Sequence, residues 1–267
     1  SMSTTLVRAV LVLTLLVAVV AAPSAYAAHS WGPYHWARQS NPFTLKLGDA
    51  MSTNWDAYLI EARNDWNGSS VLQTSIVPST ANPRTCKATT GRIEVCNAWY
   101  GNNGWLGLAS IWADANGHIT KGTAKMNDTY FNTASYNTPA WKHLVMCQEV
   151  AHAFGLAHQD EGFGAPNLGS CMDYTNDPDG GGAFGPSNEH PNQHDFDQLV
   201  TIYTHLDSYT TLAASINKAL GLDRAEEVQS SEWGTAVGHD AHGRANTFAK
   251  SDGKGGSVIT HVFWLPE

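Results

Sequence analysis

The run Trp141-Lys-His-Leu-Val-Met-Cys-Gln-Glu-Val-Ala-His-Ala-Phe-Gly-Leu-Ala-His158 constrains this chain's fold more than any other stretch. Thr138-Pro139 just ahead of it supplies an N-cap and a first-turn proline, so a helix is predicted from there. Trp141, Leu144, Val145 and Ala151 give that helix its apolar contacts. Positions four apart share a helix face, so Gln148 and His152 project together, with Glu149 at the edge of the same face. Gly155 permits a left-handed stop, after which the chain can swing His158 back toward His152.

Two histidines so placed are candidate metal ligands, because neutral imidazole suits zinc. Any one of the chain's twelve histidines, taken alone, reads as a solvated residue, and it is the spacing that singles out His152 and His158. Glu149 is placed to act as a general base, taking a proton from water and passing one to a leaving amine. Gln148 leaves three options open. Its amide oxygen ligates zinc weakly, or two histidines and another group hold the metal, or the site has lost its metal. His143 does not simply replace it: nine residues before His152, at about 100° per residue, it falls on the opposite helix face.

The pattern resembles the metzincin zinc peptidases. Their motif His-Glu-x-x-His-x-x-Gly-x-x-His is matched at every specified position except the first, where Gln148 stands. Ser170-Cys171-Met172-Asp173-Tyr174 extends the likeness, since metzincins pass a methionine turn beneath the metal and Met172 follows His158 by fourteen residues. Tyr174 matches the tyrosine that, in astacin- and serralysin-like members, ligates the metal or donates to the tetrahedral intermediate. The resemblance covers residues 148–174 in motif and 30–207 in layout. It implies an α/β (mixed α+β) fold, a zincin-like, twisted, mostly parallel sheet with an active-site helix. On that layout the four cysteines pair as Cys86–Cys96 and Cys147–Cys171, the second bond tying the metal helix to the methionine turn. The implied activity is Zn2+-dependent hydrolysis of peptide bonds in a protein or peptide substrate. Loss of the first ligand histidine also marks non-catalytic relatives, so the alternative is a binding or scaffold protein that keeps the fold.

Elsewhere the chain reads as short alternating elements. Residues 43–48 have the alternation of a half-buried strand, and a helix follows over 54–66, with Thr53 as its cap. Strands are predicted at 71–77 and 92–100, and 106–114 and 118–127 flank the hairpin turn Asp114-Ala-Asn-Gly117. A further helix covers 193–206. The last sixty residues read as a short helix at 212–220 and a small β-rich appendage, whose best strand is 257–265. His190 and His194 form an i, i+4 pair that reads as solvated rather than as a second metal site. The stretch 176–182 has the oxygen-rich look of a Ca2+ loop, but it lacks EF-hand spacing, and turn chemistry explains it.

The amino-terminal residues Met2 to Ala28 read as a secretory signal peptide: Arg8, an apolar run over Ala9–Ala22, and Ala25-Tyr26-Ala27 as the cleavage site. That run is shorter than the about 20 residues a membrane-spanning helix needs. Cleavage there divides the chain into 1–27, a catalytic domain over 28–207 and the appendage 208–267, giving an extracellular protein with no membrane attachment. A strand begins fifteen residues after Ala28, which leaves no room for a prosegment of the cysteine-switch kind. With 15 basic and 24 acidic residues the net charge is -9, which argues against nucleic acid or an anionic membrane as partner. Four cysteines suit an oxidising compartment.

Overall fold

A computed structural model describes residues 29–182, 185–212 and 232–266. The signal-like segment, the expected start at Ala28 and residues 213–220 of the expected short helix lie outside the described residues. The described strands are β1 (His35–Trp36), β2 (Phe43–Ala50), β3 (Leu72–Pro78), β4 (Arg92–Ala98), β5 (Trp105–Ala113), β6 (His118–Asn127), β7 (Thr235–His239), β8 (Ala245–Ser251) and β9 (Ser257–Trp264). The helices are α1 (Asp56–Trp66), α2 (Asp128–Phe131), α3 (Pro139–His152) and α4 (Gln193–Ile202).

All nine strands belong to one sheet in the order β3-β2-β4-β6-β5-β9-β8-β7, with β1 paired to the start of β6. The half made of β3, β2, β4, β6 and β1 is parallel, as expected. The other half is antiparallel throughout, from β6–β5 to β7–β8. Two expectations need correction here. The sheet is not mostly parallel, and the β-rich tail is not a separate appendage. The physical reason is the β5 edge: an unpaired apolar strand edge in mid-sheet must be covered, and β9 covers it along its whole length.

Both faces of β9 are consequently buried. Ile259 and Phe263 join the main core under α3, while Val258 and Val262 pack with Trp105, Leu108, Trp112 and Trp233 on the other face. α1 and α3 lie against the main-core face, and the Trp66 indole donates to the Cys147 carbonyl at 3.2 Å. Thr138 caps α3 as expected, its hydroxyl accepting from the Trp141 N–H at 3.3 Å. Thr53 does not cap α1; that helix starts after Trp55 with no side-chain cap. At β5, Gly107 is required by close approach, because a Cβ there would lie 2.5 Å from a Glu149 carboxylate oxygen.

Candidate metal centre

Three backbone features aim the candidate ligands. α3 presents Gln148 and His152 one turn apart, both fully buried. Gly155 then adopts φ +101°, a conformation closed to most side chains, and the Tyr34 carbonyl lies where its Cβ would be. The reversal returns the Leu156 carbonyl to the His152 Nδ1–H at 2.7 Å, and His158 lands beside His152. Behind them, the disulfide Cys147–Cys171 joins α3 to the turn that holds Met172, and Cys86–Cys96 closes the second expected bond. Asp195, in the capping box of α4, accepts from the Ser170 hydroxyl at 2.6 Å, and the Ser170 oxygen accepts from the Met172 N–H. The methionine turn is thus anchored to two helices.

Hydrogen-bond partners decide which atom of each side chain faces the centre. The Leu156 carbonyl can only accept, so His152 carries its proton on Nδ1 and offers a lone pair at Nε2. His158 Nδ1 donates to Glu161 Oε2 at 3.0 Å, so in the neutral form of this ring Nε2 is bare as well. Burial alone would raise the Glu161 carboxyl, but His158 and the Asn246 amide hold it below the usual range, so it is the ionised acceptor this bond needs. The Gln148 amide nitrogen donates to two carbonyls, Cys171 at 2.7 Å and Asp173 at 3.1 Å, which turns Oε1 toward His158.

The result is a convergence of acceptors. His152 Nε2 and His158 Nε2 are 3.2 Å apart, and Gln148 Oε1 is 3.2 Å from His158 Nε2. With both rings neutral no proton lies between them, and a cation among the three would satisfy every lone pair. Bonds of about 2.0–2.1 Å to a tetrahedral zinc place neighbouring donors about 3.3–3.4 Å apart, which these spacings match.

A fourth donor arrives from β9. The His261 ring lies with its centroid 4.0 Å from that of His152 and 4.3 Å from that of His158. Both of its ring nitrogens are buried with no hydrogen-bond partner. One nitrogen from each of His152, His158 and His261 falls within a 4.8 Å group. Burial and the neighbouring imidazoles keep His152 and His261 well below the ordinary histidine range, hence neutral and able to ligate. The donor set is compatible with zinc, and His261 is a candidate for the further group beside the two histidines. Its signal in the sequence is slight: an imidazole at an inward-facing position of an otherwise apolar strand, between Ile259 and Phe263.

Glu149 is fully buried against Gly107, both carboxylate oxygens lack a partner, and burial pushes its pKa well above the carboxylate range. The Tyr174 ring stacks on His158 at 4.7 Å, and its buried hydroxyl also has no partner. Met172 is fully buried. His190 and His194 are not a pair: His190 Nδ1 bonds Asp65 at 2.8 Å, while His194 stacks on His29. In the 176–182 stretch, Asp177 accepts from Asn167, and Asn188 donates to the Asp177 carbonyl.

No family model matches this sequence, and no curated protein does. Solved structures do match in part. High choriolytic enzyme 1, a hatching enzyme zinc-protease from the medaka fish Oryzias latipes, is 14% identical, with a TM-score of 0.35 over 64% of this chain and 94% of that one. Myroilysin is 11% identical, with a TM-score of 0.36 over 63% of this chain and 96% of its own. Likenesses that distant do not carry chemistry across, so the reading below rests on this chain's own residues.

Proposed function

We propose that this protein is a secreted zinc-dependent hydrolase of the peptidase type, and that in this conformation its C-terminal strand holds it latent. The observation that carries the reading is a buried cluster of donors: one nitrogen each of His152, His158 and His261 within 4.8 Å of one another, with Gln148 Oε1 3.2 Å from His158 Nε2 and both His261 nitrogens without a partner. The departure from the metzincin pattern at Gln148 is made good by His261. Zinc bound there supplies Lewis-acid activation of water and of a carbonyl group. The remaining work falls to the chain. Glu149, whose carboxyl is kept protonatable by burial, takes and returns a proton. The Tyr174 hydroxyl, also without a partner, is available to donate toward developing negative charge. The two disulfides fit an oxidising compartment, and no helix among the described residues is long and apolar enough to cross a membrane.

The latency follows from the same strand. Catalytic zinc sites keep one position open, whereas four protein donors make a closed set. β9 also fills the β5 edge, where an extended peptide would add as a strand, and it brings His261 opposite Ala109 in that register. Release of β9 opens the ligand position and the edge together. A second reading draws on the complete burial of Glu149 and His152: a zinc-stabilised protein that never opens and has no catalysis. One experiment separates them. Val262 is fully buried, so Val262→Asp combined with His261→Ala should detach β9. With zinc in excess, that variant is expected to cleave a peptide library that the wild type leaves intact. Adding Glu149→Gln should silence it. Absence of cleavage from a folded, zinc-loaded variant would establish the non-catalytic reading.

A further inference from the structure

A second group of histidines gathers where three distant parts of the chain meet. His35 lies in β1 and is in register with His118, the first residue of β6. His205 and Asp207 follow α4. Asp207 Oδ1 is 3.4 Å from His35 Nε2, 3.2 Å from His118 Nε2 and 3.5 Å from His205 Nε2. His35 Nε2 and His205 Nε2 are 3.1 Å apart. The other oxygen of Asp207 is already occupied, accepting from the Arg38 N–H at 3.1 Å and its guanidinium at 3.0 Å.

Ion pairing between imidazolium rings and Asp207 would explain these contacts only if the Nε2 atoms carried protons. At His35 the partner argues otherwise. The Pro33 carbonyl lies 2.7 Å from His35 Nδ1 and can only accept, which puts the proton on Nδ1. His35 is also held below the ordinary histidine range, chiefly by burial. At His118, the Tyr209 hydroxyl donates its one proton to Asp114 at 2.8 Å. The same hydroxyl bonds His118 Nδ1, and the His118 ring lies between two carboxylates, 3.4 Å from Asp114 and 3.2 Å from Asp207. The Nε2 lone pair of neutral His35 faces the Asp207 oxygen and the His205 nitrogen, and a cation among these three donors would satisfy all of them at once. The three spacings among His35, His205 and Asp207, 3.1–3.5 Å, bracket the about 3.3–3.4 Å edge of a tetrahedral zinc site. The backbone carbonyl on His35 is the kind of outer partner that fixes a ligand tautomer at such sites.

The geometry points to a structural zinc ion held by His35, His205 and Asp207, with His118 against the same carboxylate oxygen. It shares no residue with the first centre and does not depend on it. It clamps β1, and with it the paired start of β6, to the segment that follows α4, and its three donors come from protein.

The test is the zinc stoichiometry of the intact folded chain by native mass spectrometry, in wild type, His205→Ala and His205→Cys. His205 is mostly exposed, with 57% of its side-chain surface accessible, so its replacement leaves the Arg38–Asp207 pair in place. The expected counts are two zinc ions per chain, one, and two, since thiolate restores a donor. The alanine variant should also lose the drop in melting temperature that a chelator causes at this site. If wild type and His205→Ala bind equal numbers of zinc ions, the proposal is overturned. A count of one in wild type and none in His205→Ala would uphold this site and remove the first centre instead.

Discussion

Replacing His261 with alanine is expected to weaken zinc binding at the first centre by on the order of a hundredfold. Closed zinc sites in small domains bind with an apparent about 10–16 kcal/mol, so one of four donors accounts for about 3 kcal/mol, and each about 1.4 kcal/mol is a factor of ten. His152→Ala and His158→Ala should lose at least as much, because each of these side chains has its tautomer fixed by a partner, Leu156 or Glu161. Gln148→Ala should lose least, since an amide oxygen is a weaker zinc donor than imidazole. Competition with a chromogenic chelator measures all four. The ranking carries the information: if His261→Ala binds zinc as tightly as wild type while His152→Ala does not, β9 merely covers a site that it does not complete.

Removing the bond between Cys147 and Cys171, by Cys147→Ser with Cys171→Ser, should lower stability by about 2–5 kcal/mol in urea unfolding. The effect should exceed that of opening Cys86–Cys96, because the Cys147 bond closes a separation of 24 residues against 10. It should reach the metal as well. Cys171 supplies the carbonyl that receives the Gln148 amide, so a loosened turn frees Gln148 to rotate its oxygen away. A stability loss with unchanged zinc affinity would show that the α4 capping box alone holds the methionine turn in place.

What the sequence made legible was local. The α3 cap at Thr138-Pro139, the reversal at Gly155, the turn at Asp114–Gly117 and both disulfide pairings depend on neighbours a few residues away or on a motif with a set spacing. Gln148 was legible as a problem and not as a solution. His261 lies more than 100 residues downstream of His158, and strand 257–265 could be recognised after its glycine-rich turn without any sign of its partner. Strand pairing at that separation is decided by which edges remain open after the rest of the sheet has formed. The same reason hides the Asp207 cluster. His35, His118 and His205 have no common spacing, and only the pairing of β1 with β6 and the path after α4 bring them together.

Diffraction data collected on both sides of the zinc absorption edge, from crystals of the wild-type chain grown with zinc, test the four-donor centre most directly. An anomalous peak is expected at bonding distance, about 2.0–2.2 Å, from His152 Nε2, His158 Nε2 and a ring nitrogen of His261, with Gln148 Oε1 turned toward it. A peak whose ligands do not include His261, or no peak between His152 and His158, would contradict it.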